Sequence, residues 1–123
     1  MKNHISVSVV TEYLGAQSDP DKNQFAFAYY VTLTNKGEQA AQLISRHWVI
    51  TDGNGEKKEV KGLGVVGEQP LLAPGMSYRY NSFSVIETSV GTMEGTYQMQ
   101  AADGSLFDAI ISPFLLSVPG AIN

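Results

Sequence analysis

Three glycines at residues 62, 64 and 67 have the G-x-G-x-x-G spacing that in other proteins marks a phosphate-binding turn. Closely spaced glycines allow positive φ, so their backbone N–H groups can converge on an anion, and Lys61 adds positive charge beside them. In dinucleotide-binding folds a helix follows such a turn, whereas Pro70 here excludes a long one. The residues therefore predict at most a helix-free loop that holds pyrophosphate or a nucleotide phosphate.

A structural reading of the same glycines competes with the phosphate site. Gly62, Gly64 and Gly67 would then allow a bulge and a tight bend at the corner of a sheet, with Val65 and Val66 directed into the core. The sequence favours this reading, because the G-x-G-x-x-G pattern is weak outside a strand-turn-helix context.

Arg46 is a second candidate for anion binding. Strand alternation puts it on the same face as Ile44 and Trp48, where a guanidinium needs a partner or a route to the edge of the sheet. It could bind an anion there. A carboxylate of Glu68 or Asp108 is the favoured alternative, and that pairing would hold the glycine loop against the sheet.

His47 and Asp52 are the weak candidates for a metal site. His47 alternates with Trp48 and so faces away from the core, where it could join Asp52 around a cation. The alternative is a surface or interface histidine, favoured because no second ligand stands at a diagnostic spacing. We expect no bound cofactor. The sequence contains no G-x-S-x-G, H-E-x-x-H or cysteine, so it predicts a protein that is not an enzyme.

The composition predicts one soluble domain spanning residues 1–123. The chain is 43% hydrophobic and 16% charged, and its apolar runs are far shorter than the roughly 20 residues that span a bilayer. We therefore expect a cytoplasmic protein without a membrane partner. A net charge of −4 disfavours nucleic-acid binding, and the absence of cysteine excludes disulfides.

Period-two alternation dominates the chain and predicts strands near residues 5–13, 25–35, 41–52 and 57–61, then in 76–81, 92–100 and 106–116. Turn signals separate them, such as Asp52-Gly53-Asn54-Gly55 and Asp103-Gly104. About seven short antiparallel strands without helices predict an all-β sandwich of immunoglobulin or fibronectin type III kind. Trp48 is the expected core anchor.

Several segments resemble the ApaG family: Ser45-Arg46-His47-Trp48-Val49-Ile50-Thr51-Asp52, residues 60–70, Pro74-Gly75, residues 90–99 and residues 104–114. The resemblance covers nearly the whole chain. It implies a fibronectin type III-like sandwich and a genetic association with cobalt tolerance and magnesium efflux in bacteria. Similar domains within eukaryotic F-box proteins and a polymerase-delta-interacting protein imply a recognition module. Residues 82–86 depart from the family, many members of which resemble Ser-Gly-Cys-Pro-Leu there.

Two functions from different classes follow. The leading one is a non-enzymatic module that recognises a protein, or a second copy in a homodimer, through a sheet edge or the loop 62–75. The alternative is a sensor that binds pyrophosphate, a nucleotide phosphate or a divalent cation at the glycine loop.

Overall fold

The computed structural model describes residues 2–121 and consists of eight antiparallel strands. Two single 3₁₀ turns, Gly15–Gln17 and Pro20–Lys22, lie between the first two strands, and no helix in this range is long enough to cross a membrane. The strands are β1 Ile5–Tyr13, β2 Phe25–Asn35, β3 Ala41–Asp52, β4 Lys57–Leu63, β5 Leu71–Leu72, β6 Ser77–Ile86, β7 Val90–Ala101 and β8 Leu106–Ser117.

The strands form two sheets stacked as a sandwich, which confirms the predicted fold class. One sheet has the order β1-β2-β6, and the other has the order β4-β3-β7-β8 with β5 paired to the start of β3. The two-residue strand β5 is the element that the sequence did not predict. Strand β8 runs through Pro113 and occupies an edge, as a proline in a strand favours.

Aromatic side chains fill the core between the sheets. The predicted anchor Trp48 is 2% exposed, with its ring centroid 5.3 Å from that of Tyr29 and 5.9 Å from that of Phe114. Tyr97 approaches it edge-on at 6.1 Å. The pairs with Tyr97 and Phe114 are edge-on, a favoured aromatic geometry, and through its three ring contacts Trp48 joins both sheets and the edge strand β8.

A β-bulge at Ile44 corrects the predicted face of β3. Leu43 pairs with Met99 and Ser45 with Gln98, which leaves Ile44 as the extra residue. The bulge shifts the alternation by one, so Leu43 and Trp48 are both buried although they are five positions apart. Ile44 therefore does not share the core face with Trp48.

The two flanks of the sandwich differ. Strand β1 lies against β8 and closes one flank, where the Thr11 hydroxyl donates to the Leu115 carbonyl at 3.4 Å. On the other flank β4 and β6 make no comparable contact within the described chain. Val60 of β4 lies opposite Trp48, so it faces inward, yet it is 40% exposed. This flank is therefore open.

Candidate functional site

The glycine loop is a tight turn that follows β4. Val65 and Glu68 pair through two backbone hydrogen bonds of 2.8 and 2.9 Å, and the two residues between them have positive φ: +47° at Val66 and +79° at Gly67. Positive φ at both central residues is the signature of a type I′ hairpin turn. Gly64 also has a positive φ, of +63°, which lets the chain leave β4 and enter this turn.

Three amides of the glycine loop are already hydrogen-bonded to the protein. The Gly64 amide donates to the carbonyl of the bulged residue Ile44 at 2.8 Å, and the amides of Val65 and Glu68 bond each other's carbonyls. The structural reading of the glycines predicted that both valines of the loop enter the core. Val65 is fully buried as predicted, whereas Val66 is 65% exposed, so the prediction for Val66 is wrong. Phosphate binding by this loop stays a prediction.

Arg46 holds the end of β4 through backbone carbonyls. Its Nη1 donates to the carbonyls of Leu63 and Gly64, both at 3.0 Å. The guanidinium lies against Gly62, where an added Cβ would be only 2.8 Å from Nη1, so a side chain at this position would displace the guanidinium. The prediction that Arg46 pairs with the carboxylate of Glu68 or Asp108 is wrong, because its partners are these backbone carbonyls. The predicted consequence is correct, since Arg46 holds the loop against the sheet.

The five candidate residues of the anion site do not meet at one point. Arg46 and Gly62 lie opposite each other on the inner face, whereas Lys61 lies opposite His47 on the outer face. Gly67 stands at the exposed tip of the turn. The structure therefore brings Arg46, Gly62 and Gly64 together and separates them from Lys61, because neighbours in a strand point to opposite faces.

His47 and Asp52 have separate partners. His47 Nε2 lies 3.0 Å from Glu59 Oε1 on β4, on the outer face as predicted. Asp52 Oδ1 accepts hydrogen bonds from the amides of Asn54 and Glu56 in the β3-β4 turn. Asp52 also clusters with Glu56 and Glu87, whose ligand atoms lie within 4.8 Å of one another, but exposed acidic groups of this kind are common without an ion.

Two adjoining hollows occupy the open flank between β4 and β6. Their volumes are about 200 and 180 Å³, and they share four lining residues: Tyr29, Arg46, Trp48 and Ser82. We call this space the cleft. Among the described residues that line the cleft, Arg46 is the only one with a positive charge. The alternation of residues in β3 identified Arg46 as a candidate from sequence. Tyr29 and Ser82 could not be identified in this way, because their place in the cleft depends on how the two sheets stack.

Two phenols lie beside the cleft. The hydroxyls of Tyr80 and Tyr97 hydrogen-bond each other. Burial raises the pKa of both phenols well above the usual value of 10, while the nearby Arg46 charge acts in the opposite direction. Both are therefore neutral at physiological pH. They provide hydroxyl groups near Arg46 without adding negative charge that would compete with an anion.

Strand β6 supplies the other wall of the cleft and is a free edge of its sheet. Its inward residues change from aromatic to small and polar, with Tyr78 and Tyr80 followed by Ser82 and Ser84. This change was the available sequence signal that the inner face of β6 borders water at Ser82 and Ser84, before Ile86 returns to the core. On its outward face Phe83 is 68% exposed, within the segment that departs from the family pattern.

These features define the class of protein: a two-sheet antiparallel sandwich of fibronectin type III kind, in which one flank is open around an arginine.

Comparison with known proteins identifies the family. The family model described as the ApaG domain matches residues 15–101. Protein ApaG of Aromatoleum aromaticum is 58% identical over 122 residues, covering 99% of this chain and 96% of that protein. Protein ApaG of Pseudomonas fluorescens strain SBW25 is 59% identical over 119 residues, covering 97% and 94%.

The solved structures agree with the sequence relatives. A crystal structure described as the putative ApaA protein from Bordetella pertussis superposes with a TM-score of 0.93 at 49% identity, covering 96% of each chain. The chain belongs to the ApaG family.

Proposed function

We propose that this chain is a non-enzymatic binding module that recognises a protein partner by adding the partner's strand to the free edge of β6. The observation that carries the proposal is the lack of protection along this edge. Exposed edge strands normally carry charges, prolines or bulges, because their unpaired amides and carbonyls otherwise recruit other chains. The register of β6 with β2 runs without a break from Ser77 to Ile86, and Arg79 is its only charge.

The other three edges are each protected. Strand β4 carries Lys57, Lys58 and Lys61. Strand β8 contains Pro113 and a break in its register with β7, and β1 lies against β8. An unprotected edge beside three protected ones favours β6 as the recognition strand, since strand addition gives affinity through main-chain hydrogen bonds.

The outward side chains of β6 give such a partner an apolar contact. Phe83 is 68% exposed and Val85 is 45% exposed, two positions apart on one face. Large aromatic side chains are enriched among the residues that dominate binding energy at interfaces. The association with cobalt tolerance and magnesium efflux implied by the family resemblance is, on this proposal, an indirect effect of the partner.

Photocrosslinking in cells tests the proposal. Phe83→p-benzoylphenylalanine places a crosslinker on β6, and Ile110→p-benzoylphenylalanine places one on β8 at a similarly exposed position, 63%. We expect one recurrent adduct, either another protein or a second copy of this chain, at position 83 and not at position 110. With the identified partner purified, Phe83→Lys should weaken binding at least about tenfold and Ile110→Lys should not. Equal adducts at both positions, or binding indifferent to Phe83→Lys, would sink the β6 edge as the recognition site.

A further inference from the structure

Arg46 is a charged side chain whose hydrogen bonding is only half used. Nη1 makes both of its bonds to the protein, and among residues 2–121 neither Nε nor Nη2 has a protein acceptor. The only ion pair in that range joins His47 and Glu59 on the outer face. Arginine stays ionised at all physiological pH values and offers a planar fork that matches a carboxylate. Its free donors border the cleft.

We propose that the cleft is a carboxylate-binding site in which Arg46 supplies the positive charge. The loop carbonyls of Leu63 and Gly64, together with Gly62, hold the guanidinium in place, so little of its conformational freedom is left to lose on binding. The wall is polar at Ser82, and the buried rings of Trp48 and Tyr29 form the floor. A charge-assisted bond formed beside buried rings is stronger than one formed in bulk water.

The source of the carboxylate follows from the position of β6, and this step rests on the proposed function. A strand added to β6 lies over the open flank, so alternate side chains point inward toward the face that carries Arg46 and Val60. The exposed Val60 favours an apolar neighbour, and Arg46 favours an acidic one. The partner strand therefore alternates small or apolar residues with an inward glutamate or aspartate.

Trp48 provides a reporter inside the cleft, because it is the only tryptophan of the chain. The probes are an acetylated and amidated peptide, Thr-Val-Thr-Glu-Thr-Val-Thr, the same peptide with Gln in place of Glu, and free glutarate, all titrated at matched ionic strength. We expect saturable changes in Trp48 fluorescence with the Glu peptide and about tenfold weaker binding of the Gln peptide. Glutarate shows whether a free carboxylate also suffices.

A pair of variants keeps Arg46 and its hold on the loop intact. Ser82→Glu offers Arg46 a resident carboxylate, and Ser82→Gln adds the same bulk without charge. The Glu peptide should bind Ser82→Glu at least about tenfold more weakly than Ser82→Gln. Equal affinity of the two variants, equal affinity of the two peptides, or no saturable response to any probe would overturn the carboxylate site.

The outcomes also separate this site from the proposed strand addition. Equal binding of the Glu and Gln peptides that Phe83→Lys abolishes would remove the carboxylate site and leave strand addition standing. Saturable glutarate binding, sensitive to Ser82→Glu, with no response to either peptide would support the carboxylate site and count against strand addition.

Discussion

Strands β4 and β6 border the same opening of the sandwich, yet four of the seven residues of β4 are charged and only one of the ten residues of β6 is. The charges of β4 follow the usual way in which proteins prevent edge-to-edge association. Strand β6 omits that protection and shows Phe83 to solvent instead. On the proposed function, the charges of β4 prevent pairing at one edge of the opening, and β6 is the edge left available to a partner.

The closed flank of the sandwich is more deeply buried than the open flank. There β1 and β8 cover the core, and Leu116 of β8 is fully buried. On the open flank two of the inward residues of β6, Ser82 and Ser84, are serines, which gain little from burial. Stability should therefore depend on the closed flank and recognition on the open one.

The largest expected effect is the difference in stability between a truncation on the closed flank and a truncation on the open flank. Leu116→Ala should lower the free energy of unfolding by about 2–5 kcal/mol, because it leaves a cavity in a packed core. Ser82→Ala should change it by less than about 0.5 kcal/mol, because it removes no bond that Ser82 makes to the described protein. Urea unfolding followed by Trp48 fluorescence measures both. Similar losses in the two variants would break the distinction between a structural and a recognition flank.

The second prediction concerns the turn that ends β4. Gly64 and Gly67 both have positive φ, so alanine at either position meets a strain of about 1–2 kcal/mol. Only at Gly64 would the new Cβ meet an obstacle, the Glu68 carbonyl oxygen, whereas nothing lies within 4 Å at Gly67. Gly64→Ala should therefore cost about 3 kcal/mol or more in urea unfolding, clearly above Gly67→Ala.

The control for this pair lies in the loop itself. Amide exchange at Glu68 should speed up in Gly64→Ala and remain slow in Gly67→Ala, since only the first substitution displaces the Val65–Glu68 pairing. Equal costs for the two alanines would mean that the turn shifts freely and that Arg46 does not fix the end of β4.

These positions show what residue patterns could and could not predict. Alternation in β2 and β7 placed Phe27, Val31, Met93 and Met99 in the core, and the two-sheet fold followed. The extra residue Ile44 leaves no mark in composition, so the faces of β3 were misassigned before the bulge. The cleft joins Tyr29, Arg46 and Ser82 from three strands of two sheets, and sequence gives neither the register nor the stacking that brings them together.

The third prediction uses pH to find how far water enters the open flank. Burial raises the pKa of Tyr80 and Tyr97, so their contribution to stability is complete below pH 10, the usual phenol pKa, and is lost as pH rises above it. The free energy of unfolding should then fall with pH by about 1.4 kcal/mol per pH unit for each phenol that stays protonated. Tyr80→Phe should reduce this slope.

Tyr30→Phe is the matched control for the alkaline slope. The hydrogen bond to Glu12 raises the pKa of Tyr30 as well, but that phenol is exposed and screened by solvent, so its loss should change the slope little. A flat stability profile above pH 10 in the unaltered protein would show that water reaches Tyr80 and Tyr97 in the folded state. The cleft would then extend deeper than its walls indicate.

The smallest expected effect on stability tests the role of the charges on β4. Replacing Lys57, Lys58 and Lys61 by threonine should leave the free energy of unfolding within about 0.5 kcal/mol, since exposed charges contribute little and threonine suits strands. The same change should produce concentration-dependent self-association in sedimentation velocity, because it exposes an unprotected edge.

Three lysines outside the strands provide the matched control. Threonine at Lys2, Lys22 and Lys36 takes the net charge from −4 to −7, as the β4 variant does, because each removes three positive charges. Greater net charge opposes association through general repulsion, so association of the β4 variant alone would be a local effect of its edge. If both triple variants stay monomeric, the lysines of β4 do not protect that edge, and the contrast with β6 loses its basis.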